Sequence, residues 1–175
     1  MDAPPVAVSV RRLRPWELDE VCRAFPERPR MLHLGRLILQ AQDELRYLIA
    51  WDGPRPVGHV VVQVPERSRQ PMEMAWREGC AEIGDLFVDP AHRRGGAGRA
   101  LVLAAEDAAR AFGGTRVGLA TGPGDGFAAA RALYASLGYR DAGHGPYLEG
   151  WVYRDEWGEV RTSLDPLVYL VKDLP

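Results

Sequence analysis

Lysine is nearly missing from this chain: of 22 basic residues in a length of 175, only Lys172 is lysine and the rest are arginine. Any anion site must therefore be built from guanidinium groups and backbone amides. Cysteine is almost as scarce. Cys22 and Cys80 are too few for a disulfide scaffold and too far apart for a metal knuckle, and Cys80 reads as a structural thiol. His33, His59, His92 and His144 show no metal-ligand spacing and read as surface or packing residues, so no metal is expected. Charge of one sign is not in excess either. The 22 basic and 24 acidic side chains leave a formal charge of −2, which removes the electrostatic drive for nonspecific nucleic-acid binding. No apolar run approaches the ~20 residues of a membrane span. The opening MDAPPVAVSVRR does not follow a secretory-leader pattern. The expectation is a cytoplasmic chain with no nucleic-acid or membrane partner.

What the chain does have is enough apolar residue, 46%, to fill the core of one domain over residues 1–175. No internal repeat interrupts it. Val6–Leu13 alternates as a strand, Trp16–Phe25 is a short helical stretch, and Met31–Leu45 carries Leu34, Leu37, Ile38 and Ala41 at helical spacing. Arg46–Trp51 and Val57–Val64 read as a hairpin around DGPRP, and Pro65–Gly79 as a loop. Ala81–Val88 is a strand. Arg99–Phe112 is a helix with Leu101, Ala104, Ala105, Ala108 and Phe112 on one face, stopped by Gly113-Gly114. Thr115–Ala120 is a strand. Asp125 is positioned to cap a helix over Phe127–Leu137 that Gly138 ends, and strands fill Tyr139–Leu174. The order β-α-α-β-β-β-α-β-α-β-β predicts the α/β class, a mixed sheet flanked by helices.

The most informative stretch runs from the strand ending at Asp89-Pro90 through His92-Arg93-Arg94-Gly95-Gly96-Ala97-Gly98 into a helix. Glycines let backbone N–H groups approach a ligand, the helix start adds unpaired donors, and Arg93, Arg94 and Arg99 add charge. That combination points to a phosphate or pyrophosphate site. It is not a P-loop, because no Gly-Lys-Ser/Thr follows. A second glycine run, Gly124-Asp125-Gly126-Phe127-Ala128-Ala129, fits a relaxed dinucleotide fingerprint but lacks a clear ribose-binding acid.

Arg93-x-x-Gly96-x-Gly98 after Leu86-Phe87-Val88 resembles the acyl-CoA-binding motif of the GNAT superfamily of N-acyltransferases. Ala130-x-x-Leu133-Tyr134-x-x-x-Gly138-Tyr139 resembles that family's later helix. The resemblance implies acetyl-CoA as co-substrate. The amides of Arg94, Gly95, Gly96, Ala97, Gly98 and Arg99 would hold the pyrophosphate, with Arg93 beside them, and the main chain of Leu86, Phe87 and Val88 would pair with the pantetheine arm. One departure stands out. Many members carry Asn seven positions before the tyrosine; this chain has Phe127, leaving Asp125 or Arg131 to replace that contact.

Acetyl transfer to an amine needs a base for the ammonium proton, an acid at the leaving thiolate and a donor at the carbonyl oxygen, for which a strand N–H near Leu86–Val88 is the candidate. Spacing alone reads Tyr134 as a core residue on the face of Ala130 and Leu137; the resemblance makes it the acid. Glu82 and Asp85 are both candidates for the base, Glu82 favoured and Asp85 orienting the substrate. In a regular strand they face opposite sides, and Gly84 between them permits a bulge that changes this. The acceptor is expected to be a small-molecule or peptide amine. The aromatics and carboxylates of Tyr147–Trp157 suit a cationic one, though a hairpin that merely covers the sheet has the same composition. A homodimer is allowed. The alternative is a non-catalytic acyl-CoA-binding or sensor module of the same fold.

Overall fold

The computed structural model describes residues 8–69, 72–154 and 157–175. Eight strands and five helices follow one another as β1 (Ser9–Arg12), α1 (Leu18–Ala24), α2 (Arg30–Ala41), β2 (Leu45–Asp52), β3 (Arg55–Gln63), α3 (Glu73–Glu78), β4 (Ala81–Val88), α4 (Ala97–Ala111), β5 (Arg116–Thr121), α5 (Ala128–Ser136), β6 (Arg140–Asp141), β7 (Tyr147–Arg154) and β8 (Val160–Asp173). Single 3-10 turns precede α1, α4 and α5. The class is the expected one, α/β with a mixed sheet and flanking helices. The chain divides into two compact units. The first runs to Val117 and takes in Asp173–Pro175; the second is Gly118–Lys172.

In the first unit β1, β2, β3 and β4 form an antiparallel ladder in chain order, with Gly53 at φ 55° in the β2–β3 turn. β2 and β3 are buried along nearly their whole length, because helices cover both faces. Tyr47, Ile49 and Val61 share one face and pack with Leu13, Leu18, Val21, Phe25 and Leu37 of the α1–α2 side. Val60, Val62 and Gly58 point the other way, toward α4. A Cβ on Gly58 would come within 2.7 Å of the Phe87 carbonyl oxygen and 3.0 Å of Leu101, so only glycine permits that approach. Each fully buried branched or aromatic side chain contributes roughly 1.5–3 kcal/mol.

In the second unit β8 is the spine. β7 pairs with it from Tyr147↔Leu167 to Arg154↔Val160, β6 pairs at Arg140↔Val171, and β5 is its other neighbour. α5 ends at Gly138 (φ 88°), and the Tyr139 N–H bonds the Tyr134 carbonyl at 3.0 Å, a left-handed helix stop as the sequence predicts.

Five expectations are corrected. Residues expected as loop contain α3, whose six residues are too few to show a period; Gly79 at φ 58° closes it. The helix expected to reach Leu45 stops at Ala41: Asp43 turns left-handed at φ 62°, and Leu45 is the first buried residue of β2 rather than the last of a helix. α2 also presents a different face. His33 and Leu37 are buried while Ile38 is half exposed. α4 is rotated similarly, burying Leu101, Val102, Ala105, Glu106 and Ala109 with Ala104 and Ala108 at the margin. Asp125 caps nothing, since the 3-10 turn begins at Gly124 without a side-chain cap and α5 starts behind Phe127.

Candidate active site

The loop from β4 to α4 is fixed at both ends by its own side chains. Asp89 accepts the Ala91 N–H at 3.0 Å and pairs with His92 at 3.2 Å and Arg55 at 3.4 Å. The Ala91 bond above all, then His92, holds its carboxyl below the usual aspartate range. Arg93 folds back so that Nε donates to the Val88 carbonyl at 3.0 Å. Between these anchors Arg94 (φ 64°) and Gly96 (φ 91°) are left-handed on either side of Gly95. Alternation of that kind gathers successive N–H groups on one concave side, a backbone nest for anions.

The nest opens directly onto α4. Its first intrahelical bond is Ala100 N–H to the Gly96 carbonyl at 2.9 Å, so the amides of Ala97, Gly98 and Arg99 have no partner within the helix. Gly96 at the N-cap offers no side chain to fill them, and Arg93, Arg94 and Arg99 are exposed around the opening. Fifteen residues of helix add their dipole. The residues present suit a pyrophosphate.

Upstream, the β3–β4 register shifts by one residue. His59 stands opposite Phe87 and Val61 opposite Gly84, so Asp85 and Leu86 together face the single residue Val60. This is a β-bulge, with Asp85 at φ 45°. It interrupts the ladder at Asp85 and Leu86, just before Phe87 and Val88 resume the pairing. It also turns Asp85 onto the α1–α2 face, where His59 lies. Glu82 stands opposite Gln63, two residues from Val61, and so belongs to that same face. The bulge therefore brings both strand carboxylates to one side.

Asp85 is not alone there. Arg28, between α1 and α2, donates to its Oδ1 at 2.6 Å, and Arg36 of α2 donates to its Oδ2 at 2.6 Å. His59 Nδ1 lies 3.8 Å from the same carboxylate. The His59 ring stacks on Phe87 (5.4 Å, 23°) and meets Phe25 edge-on at 5.1 Å. His33 Nδ1 and the Tyr47 hydroxyl are 2.8 Å apart. Burial is the leading cause of every shift here: it lowers His59 to about 4, lowers His33 and raises Tyr47 to about 12. Both imidazoles are thus neutral near pH 7. Sequence reasoning missed Arg28 and Arg36, and read His33 and His59 as surface or packing residues. The one signal was a polar stripe at helical spacing, His33, Arg36 and Gln40, where an apolar one was counted. Gln40 lies inward as well, donating to the Leu13 carbonyl at 2.9 Å and accepting from the Tyr47 N–H at 2.9 Å.

In the second unit Tyr134 is buried, and burial raises its hydroxyl to about 12. Its ring lies 5.8 Å from that of Tyr139. Arg131 donates from one nitrogen to the carbonyls of Gly122 (2.7 Å) and Gly124 (2.8 Å), shaping the β5–α5 turn on which Phe127 sits half exposed. On the β7–β8 hairpin Glu149 stands opposite Asp165; burial first, then Asp165, raises its carboxyl. Asp155 and Glu156 of the expected acceptor hairpin lie outside the described residues, as do the side chains of residues 151–154.

The acetyltransferase (GNAT) family profile matches residues 11–139. No curated protein matches the chain. Among solved structures, the ribosomal-protein-alanine N-acetyltransferase of Brucella melitensis aligns with a TM-score of 0.67 at 18% identity, over 95% of this chain and 99% of its own. Ard1 from Thermoplasma volcanium aligns at 0.63 and 19%, over 97% and 99%. A GNAT superfamily phosphinothricin acetyltransferase of Sinorhizobium meliloti, in complex with acetyl-CoA, aligns at 0.67 and 15%, over 95% and 88%. These likenesses carry the fold. With a profile match that spans the ladder, the bulge, the nest and the helix ending at Tyr139, the chain belongs to the GNAT family of acetyltransferases.

Proposed function

We propose that residues 1–175 act as one N-acetyltransferase domain that moves an acetyl group from acetyl-CoA to a primary amine by direct attack. The observation that carries this is the continuous run of bulge, nest and helix start from Asp85 to Arg99. It combines an interrupted strand with an anion cradle, and a structural sheet needs neither. The nest amides of Arg94–Arg99 with Arg93 hold the pyrophosphate, and the main chain of Leu86–Val88 takes the arm and the carbonyl oxygen. Acetyl-CoA supplies the thioester carbonyl and a thiolate leaving group.

A primary amine with a pKa near 10.4 is less than about 0.1% neutral at pH 7, so its proton must be removed. Both oxygens of Asp85 already accept from guanidinium groups. That engagement suits Asp85 to orienting the substrate, and Glu82, on the same face, is kept as the base. Tyr134, protonated throughout the neutral range, donates to the leaving sulfur. The test is acetyl-CoA with a broad amine panel, scoring CoA thiol against a no-amine blank. Release with at least one amine is expected. Acetyl-CoA binding with no release from any amine would instead establish the acyl-CoA-binding module.

A further inference from the structure

The cluster at Asp85 holds more positive charge than its own structure needs. Two guanidinium groups converge on one carboxylate, and two buried imidazoles beside them add no charge, so the group carries one net positive charge. Of the acids around it, Glu27 is exposed and reaches His33 only through space, and Glu82 shares the strand face. Four polar atoms here are buried without a hydrogen-bond partner: Arg28 Nε, Arg36 Nη1, and both ring nitrogens of His59. Native cores rarely leave such groups unmet, so a concentration of them calls for a partner. Nor is the cluster sealed. The side chains of Arg28, Asp85 and Arg36 are 34%, 26% and 13% exposed, so it opens outward through Arg28. It lies on the strand face that also carries Glu82.

From this juxtaposition we infer that the cluster is an anion pocket of the acceptor site, and that the amine substrate is a small amino-carboxylate whose carboxylate is taken by Arg28. The inference rests on the acetyltransferase reading for the amine but not for the pocket. A guanidinium fork matches a planar carboxylate, and charge-assisted bonds of this kind are about twice as strong as neutral ones. Arg36 and Asp85 hold Arg28 in place; His59 and Phe87 floor the pocket. A diamine would set a second cation against the two guanidinium groups, so this pocket favours an amino-carboxylate over the cationic acceptor that the last hairpin would suit.

The experiment uses the L-amino acids, their α-amides and aliphatic diamines, each tested with and without CoA so that the nest is filled in one arm. In the binding arm, at least one amino acid should raise the melting temperature while its amide does not. Arg28→Gln should abolish that rise, and Arg23→Gln, which removes an exposed charge of α1, should not. In the turnover arm, the amino acid should have a KM at least about tenfold below that of its amide. Arg28→Gln should raise that KM toward the amide's with a smaller change in kcat, and Arg28→Lys should recover part of the loss. Amides or diamines bound and acetylated as well as amino acids, or no amino acid bound at all, overturns the pocket and leaves the enzyme standing. Carboxylate-dependent binding that Arg28→Gln removes, with no thiol released from any amine, overturns the acetyltransferase reading and leaves the pocket standing.

Discussion

His59 has no route to water, and its imidazole sits between Phe25, Tyr47 and Phe87 with Asp85 at 3.8 Å. Desolvation outweighs the attraction of that carboxylate, and Arg36, Arg28 and His33 add to the effect, so the folded chain holds His59 neutral down to about pH 4. The unfolded chain takes up the proton near pH 6.5. A lowered histidine pKa therefore favours unfolding as the pH falls from about 6.5 to about 4, and the stability it removes is roughly 3 kcal/mol. Buried His33 acts in the same direction. Urea unfolding at a series of pH values should show this slope, and His59→Phe should flatten much of it. An unchanged slope in that variant would assign the acid sensitivity elsewhere.

Two other residues are separable by kinetics. Tyr134→Phe keeps the ring against Tyr139 and deletes the hydroxyl, so kcat should fall about 10²–10⁴-fold with acetyl-CoA affinity nearly unchanged. Because burial holds that hydroxyl near 12, the wild-type rate should show no alkaline decline from it between pH 7 and 9. Glu82→Gln should also lower kcat, but the deficit should shrink as the pH rises and the amine loses its proton unaided. Should Asp85→Asn be the variant rescued by high pH while Glu82→Gln stays active, the base is Asp85.

At the scale of the element, the β4–α4 connection depends on conformation more than on space. A Cβ at Gly96 would meet nothing within 4 Å, yet φ there is 91°, a region L residues rarely adopt. Gly96→Val should therefore distort the nest without disturbing packing. Acetyl-CoA binding should weaken at least tenfold by titration calorimetry while the melting temperature without ligand changes little. Equal affinity would remove the nest from the account. The neighbouring bulge has a different cause. One extra residue on β4 forces Asp85 into φ 45°, and the cost of that conformation is offset by the ion pairs it makes with Arg28 and Arg36.

For the molecule as a whole, ligand binding to the native state alone must raise stability by mass action. Acetyl-CoA at about 100 times its dissociation constant should add ~2.7 kcal/mol to unfolding, and no thermal shift at saturation would contradict the donor assignment. Neither Cys22 nor Cys80 is in a disulfide. Titration of the denatured, unreduced protein should count two per chain, and a count of zero would show a bond that the fold does not contain.

Local conformation was legible from the sequence. Glycines at 95, 96 and 98 beside three arginines signal a backbone nest at a helix start whatever surrounds them, because both are made by consecutive residues. Strand β4, the left-handed stop at Gly138 and the β2–β3 hairpin were readable for the same reason. Six residues between Met72 and Gly79 were too short to show a helix, and the inner face of α2 was misjudged because His33, Arg36 and Gln40 occupy positions where an apolar stripe is the ordinary expectation. What only the tertiary structure decided is the company of Asp85. Arg28 and Arg36 lie 57 and 49 residues before it, and no spacing rule relates them. They meet because a one-residue slip between His59 and Val61 turns one carboxylate over to the α1–α2 side of the sheet, and a register shift is settled by the pairing of two strands, not by either strand alone.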